Sequence, residues 1–208
     1  MKIKKVAALC RKSKRFHLWN QRNQKGEIIR QWLGDGCAMY ALNGAPVLDE
    51  TSLCALFDIS EADRGKMEIR LGDVPAGINL GDSVLGEKPV ERDYPDILYE
   101  DALLHCMELD GSLLLVGSRY LSPLDDMPEK YIFEREAGTA HMPYVVVKAG
   151  LLVRAVVTVF EIRNRDYLVQ LEELARKFLV DLDVQKARQQ PGSGIILFDE
   201  LLDTAQQQ

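Results

Sequence analysis

Residues 118–163 read SRYLSPLDDMPEKYIFEREAGTAHMPYVVVKAGLLVRAVVTVFEIR. Tyr120, Leu121 and Leu124 fall on one stripe of a short helix. Pro123 inside it and Pro128 after it restrict that helix to little more than a turn. Lys130 to Glu136 alternates Tyr131 and Phe133 against charge, as a half-buried strand does. Residues 137–140 are turn material. Tyr144 to Val147 is an aromatic and β-branched run that Ala149-Gly150 breaks. Leu151 to Phe160 is a second run, and Val153, Val156, Val157 and Val159 favour strand over helix. Consecutive strands on short links are antiparallel in the simplest arrangement. The stretch is therefore a helical turn followed by three strands.

The chain before it holds a longer version of that order. Ile3 to Arg15 has helical periodicity, with Ile3, Val6, Ala7 and Cys10 on one side. Lys4, Lys5, Arg11, Lys12 and Arg15 gather on the other. Leu9 points away from the apolar stripe and Lys14 falls on it, so the helix is expected to end before Lys14. Strands follow at Arg15 to Asn20, Glu27 to Leu33 and Cys37 to Leu42, linked by a turn ending in Gly26 and by Gly34-Asp35-Gly36. Gly-Asp-Gly lacks the Lys of a phosphate loop and further oxygen ligands, and reads as a tight turn. A short helix capped by Asp49 and a strand at Lys66 to Leu71 complete this half. Gly72 to Asp96, with Pro75, Pro89 and Pro95, reads as a long loop or a connector between halves. Ile97 to Leu109 is a strand region, and an Asp110-Gly111 turn leads to Ser112 to Val116, with Leu113, Leu114 and Leu115 expected to be buried.

Tyr120-Leu121, Leu124, the charged strand after them, and an apolar strand pair ending in Val157-Thr158-Val159-Phe160 resemble the closing half-domain of DNA sliding clamps, the processivity subunits of replicative polymerases. The resemblance covers residues 118–163 and rests on pattern. It implies an α+β fold in which residues 1–163 form one clamp-like domain of two helix-plus-antiparallel-sheet halves, about 1–90 and 91–163. In such a domain the helices lie on one surface and the sheets on another, and the helices face DNA. The implied function is that of a non-catalytic, DNA-associated replication accessory protein of bacterial or phage origin. Its implied partners are duplex DNA, other replication proteins, and further copies joined through sheet edges.

Charge distribution points the same way. The chain carries −6 overall, yet residues 1–30 hold ten Lys or Arg against one acid, Glu27. One basic surface on an acidic body is expected. A helix whose outer face is Lys4, Lys5, Arg11, Lys12 and Arg15 can rest against a phosphate backbone without reading bases. The competing reading of that face is a solvated, lysine-rich surface.

Residues 164–208 depart from the clamp pattern. Asp166 to Leu182 is a helix with Leu168, Leu171, Leu174, Ala175, Phe178 and Leu182 in one stripe, supported by the Glu172–Arg176 and Glu173–Lys177 pairs. The Ile195-Ile196-Leu197-Phe198 segment is loosely similar to the tails by which polymerases dock onto bacterial clamps, with Gly194 where such tails carry Gln. The alternative function is accordingly a protein-interaction module that docks a partner through this helix and Ile196, Leu197 and Phe198, with no DNA binding.

Signals for chemistry are weak. Cys10, Cys37, Cys54 and Cys106 show no C-x-x-C spacing, so neither a metal site nor a redox pair is indicated, and free thiols of a reducing cytoplasm are expected. His17 beside Trp19 suggests either a strand aromatic or a stacking platform for a single strand. His105 and His141 have no partner at ligand spacing. Glu91, Asp93, Asp96, Glu100 and Asp101 could include a carboxylate pair, but their spacing is that of a charged segment. No catalytic residue, cofactor or metal is expected. Val6 to Cys10 is too short for a signal h-region, and no run approaches a membrane span.

Overall fold

A computed structural model describes residues 1–90, 92–109, 112–138 and 141–188. The chain divides into two compact units, Met1–Glu161 and Ile162–Gln208. The first contains α1 (Ile3–Ser13), β1 (Arg15–Arg22), β2 (Ile28–Gly34), β3 (Ala38–Ala41), α2 (Glu50–Leu56), α3 (Glu61–Arg64), β4 (Glu68–Asp73), β5 (Lys88–Pro89), β6 (Arg92–Tyr99), β7 (Ala102–Leu109), β8 (Ser112–Gly117), α4 (Ser118–Leu121), a 3₁₀ turn (Ser122–Leu124), β9 (Lys130–Ala137), β10 (Met142–Ala149) and β11 (Leu152–Thr158). The fold class is α+β.

The large sheet has the order β4-β1-β2-β3-β11-β10-β9-β5. Its six central strands are antiparallel neighbours. The middle pair, β3 with β11, sets Met39 opposite Val156. From that pair outward the strands read the same way on both sides: α1 precedes β1-β2-β3, and α4 with its 3₁₀ turn precedes β9-β10-β11. Both helical elements lie on one face of the sheet. The Lys2 N–H donates to the Pro123 carbonyl at 2.8 Å, tying the start of α1 to the 3₁₀ turn.

Local chemistry explains the joints. α1 passes into β1 through Lys14 alone, which takes the left-handed conformation (φ 56°) and returns its N–H to the Arg11 and Cys10 carbonyls. The Gly34-Asp35-Gly36 turn is held by Asp35, whose Oδ1 accepts the N–H groups of Cys37 (3.0 Å) and Ala38 (3.2 Å). Gly34 is obligatory, since a Cβ there would stand 1.7 Å from the Ala38 carbonyl oxygen. Asp49 caps α2, its side chain accepting the Ser52 N–H while the Ser52 hydroxyl accepts the Asp49 N–H.

One face of the sheet carries the main core. Val6, Ala7 and Cys10 of α1, Leu53 and Phe57 around α2, and Tyr120 and Leu124 pack there on Phe16, Leu18, Leu33, Tyr40, Val145 and Val157. The separate three-stranded sheet, β6-β7-β8, closes the same layer with Met107, Leu109, Leu114 and Val116. The second face, with Trp32, Met39, Tyr144, Val146 and Val156, is covered by Val74, Ile78 and Leu80. Residues 74–87 thus form a strap from β4 at one edge of the sheet to β5 at the other.

One charge pair and one cluster of three charges pin this strap. Asp82 accepts the Val153 N–H at 2.8 Å and pairs with Arg30 at 3.4 Å. Glu87, Arg135 and Lys148 form a buried ion cluster in which Arg135 Nε donates to Glu87 at 3.0 Å and Lys148 bonds the other carboxylate oxygen. Arg135 also donates to the Asn79 carbonyl at 2.7 Å.

Several expectations need correction. The first half is not purely antiparallel, because β4 runs parallel to β1; the α2–α3 connection carries the chain back across the sheet before β4 begins. The connector ends sooner than expected, since residues 92–96 belong to β6. Pro95 is accommodated there at an irregularity in register between Tyr94 and Ile97. Leu113 is 57% exposed, so only Leu114 and Leu115 of that run are buried. The expected Asp110-Gly111 turn lies outside the described residues.

The second unit contains α5 (Arg165–Arg188). Its Glu172–Arg176 pair forms at 2.7 Å. Leu168, Leu174, Phe178 and Leu182 of its apolar stripe are 43–58% exposed. Among the described residues no helix is long and apolar enough to cross a membrane.

Candidate nucleic-acid interface

The core fixes which side of α1 faces out. With Val6, Ala7 and Cys10 buried, Lys4, Ala8, Arg11, Lys12 and Arg15 are exposed and Lys5 is half-buried. Lys4, Lys5, Arg11 and Lys12 therefore share one accessible face of α1, whereas Arg15, expected on that helix, opens β1 because Lys14 in the left-handed conformation ends the helix first. These cations are not equally free. Lys5 Nζ bonds Asp125 at 2.8 Å and the Ser122 carbonyl at 2.9 Å. That ammonium holds the Asp125 carboxyl below its usual range. Arg15 pairs with Glu68 at 3.3 Å. One Arg11 nitrogen donates to the Phe57 carbonyl at the C-terminus of α2, where a cation is favoured. Lys4 and Lys12 have no ion-pair partner among the described residues.

A sixth cation joins them from the second half. Arg119 of α4 lines a cavity of about 540 Å³ together with Lys12. Its guanidinium lies 4.7 Å from the centroid of the Tyr120 ring and donates to the Tyr120 hydroxyl at 2.8 Å. That hydroxyl donates to Asp35 Oδ2 at 3.2 Å, and Tyr40 donates to the Tyr120 carbonyl at 2.7 Å. Burial, and then the Asp35 charge, push the Tyr40 phenol up; burial likewise raises Tyr120. Beneath α1 the Cys10 thiol is pushed up to about 12 by burial and Asp35. These groups stay protonated at neutral pH and serve as fixed scaffolding. Sequence reasoning missed Arg119. The signal lay in the repeat, since the helical element of the second half should present a cation on the same surface.

Among the described residues, the polar groups around the three histidines and Ser118 are paired as follows. His105 bonds Asp96 at 2.8 Å and lies 3.6 Å from Asp93. Ser118 Oγ donates to Asp96 at 2.6 Å, so the hydroxyl meets a carboxylate and not the imidazole, unlike an activated serine. Burial opposes ionisation of Asp96, yet the Ser118 and His105 bonds hold its carboxyl below the usual range. His17 and Trp19 meet edge to face, ring centroids 5.3 Å apart, and burial lowers the imidazole below its ordinary value. His141 pairs with Glu136 on the surface. No cluster of three His, Cys, Asp or Glu groups positioned for a metal occurs among the described residues. All four cysteines are free thiols.

Glu91 and the tail residues Ile196, Leu197 and Phe198 lie outside the described residues. No protein-family model, curated protein or solved structure matches the chain.

Proposed function

We propose that the protein is a non-catalytic, DNA-associated accessory factor of clamp-like design that contacts the phosphate backbone through α1. The observation that carries this reading is the set of exposed cations Lys4, Arg11 and Lys12 on α1, with Arg15 at the start of β1 and Arg119 from the matching element of the second half. Two helical elements on one sheet face bring cations from both halves to one surface. Such a surface suits sequence-independent contact with phosphates. Bacterial or phage replication is the setting the clamp resemblance suggests, and a cytoplasmic location follows from it.

Self-association through a sheet edge is assigned to β4. The opposite edge, β5, is two residues long and ends in Pro89, which blunts it. β4 presents six residues, and its Glu68, Arg70 and Asp73 restrict pairing to a partner of matching charge.

The test is charge reversal. Lys4→Glu with Lys12→Glu weakens duplex binding at least about tenfold in moderate salt, by fluorescence anisotropy. Unchanged affinity removes α1 from the interface. The exposed Leu174, Phe178 and Leu182 of α5 support a second reading, a partner-docking module. Leu174→Glu with Phe178→Glu then abolishes capture of a replication protein and leaves duplex affinity untouched; retained capture excludes α5 as the docking surface.

A further inference from the structure

We propose that the cavity beside Lys12 holds one unpaired nucleotide of a DNA strand, its base against Leu103 and Phe160 and its phosphate between Lys12 and Arg119. This rests on the reading of α1 as a phosphate-contacting face, and it adds beside that face a site for an unpaired nucleotide.

The cavity measures about 540 Å³, within the range of small-molecule sites, roughly 300–1,000 Å³. Its wall includes Leu103 and Phe160, which are 50% and 36% exposed. These are apolar side chains that water reaches inside a concavity, the setting in which a flat base displaces water to advantage. Phe160 is not loose: its ring meets Tyr99 edge to face at 5.8 Å, and its N–H donates to the Leu115 carbonyl at 2.6 Å.

The cations of the cavity have a complementary arrangement. Lys12 has no ion-pair partner among the described residues, so no internal bond must break for it to meet a phosphate. Arg119 is already ordered on Tyr120, so little freedom is lost when it engages a ligand. The carboxylate that lines the cavity, Asp101, repels a phosphate and accepts hydrogen bonds. It therefore sets the polarity of the occupant, with the phosphate toward Lys12 and Arg119 and an exocyclic amino group toward Asp101. A base still paired in a duplex cannot turn its flat face into a concavity of this size. The occupant is a nucleotide at a strand end, a gap or a single-stranded stretch.

The test uses the intact chain with an oligonucleotide carrying 2-aminopurine, as a single strand and as a duplex. Wild type is expected to change the probe's emission on the single strand. Phe160→Ala and Leu103→Asp, both at exposed positions and checked by thermal melting, are expected to lose single-strand affinity about tenfold with duplex affinity unchanged. Free dAMP competes for the site, and inorganic phosphate at equal ionic strength does not. Unchanged emission, or equal single-strand affinity in both variants, overturns the cavity assignment. If duplex binding then persists with its salt dependence, α1 remains the interface and the cavity alone is reassigned. If neither form of DNA binds, both readings fall. Displacement of the strand by an acidic, apolar peptide but not by dAMP also overturns it.

Discussion

The Glu87 carboxylate accepts from Arg135 Nε at 3.0 Å on the face of the large sheet that α1 does not cover. Arg135 and Lys148 are almost completely buried there, and Glu87 holds both. Removing the shared anion leaves two cations in a low-dielectric site. Glu87→Gln is therefore expected to destabilise the first unit by about 3–5 kcal/mol, measured by urea unfolding at neutral pH. A loss within about 0.5 kcal/mol, the size of an ordinary surface substitution, contradicts the strap's role as a pinned layer.

The same cluster sets an acid limit. Burial opposes the charge of Glu87, but the bonds from Lys148 and Arg135 prevail and hold its carboxyl below its ordinary value. Asp82 is lowered against its own burial by the Val153 N–H and Arg30. A lowered carboxyl contributes stability that is complete above its ordinary value and fades as the pH falls through its native one. Unfolding free energy should thus be level with respect to these groups above about pH 5 and fall steadily below about pH 4. Glu87→Gln should flatten that fall. A wild-type profile without an acid limb excludes the linkage.

Gly34 gives a sharper structural test. Its Cβ would overlap the Ala38 carbonyl oxygen, and that backbone joins β2 to β3 beside the centre of the sheet. Gly34→Ala is expected to lower stability by more than about 4 kcal/mol, the range of severe core disruption. Gly65→Ala, where an added Cβ would meet no non-neighbouring group within 4 Å and φ is −65°, should be neutral. Thermal melting of the two variants separates them.

Tyr120 links the sheet to Arg119. Tyr120→Phe removes the hydroxyl that Asp35 accepts and that receives Arg119. The expected loss is about 1–3 kcal/mol, with a weaker hold on DNA because Arg119 is no longer ordered. Thermal melting and anisotropy on the same samples check both; unchanged values for both remove the network from the account.

What the sequence made legible was local. The period of Val6, Ala7 and Cys10 showed α1 and its outer face. The β-branched runs at 143–148 and 151–160 showed two central strands, and Asp49 showed a cap. Relations across the sheet were hidden. Nothing in Lys66 to Asp73 states that it runs parallel to β1, because a strand's own residues carry no record of its neighbour's direction. The strap read as a loop, since Val74, Ile78 and Leu80 are spaced irregularly and bury their side chains one at a time. Lys148 within a valine run and Arg135 within a charged one gave no sign that both meet Glu87. Of the candidate site, the α1 cations could be read from charge and period. Lys5 with Asp125 and the cavity shared by Lys12 and Arg119 depend on the packing of two halves far apart in sequence, and Arg15 with Glu68 on the parallel pairing of β1 and β4 within the first half.

The most direct test of the central claim is the salt dependence of duplex binding. The logarithm of affinity against that of salt concentration should fall linearly, with a slope that loses about 0.9 for each phosphate contact removed. Lys4→Ala and Lys12→Ala should each reduce the slope by about that amount, and together by about twice as much. An undiminished slope in the double variant, or no salt-dependent binding in the wild type, contradicts the assignment of α1 as the DNA-contacting surface.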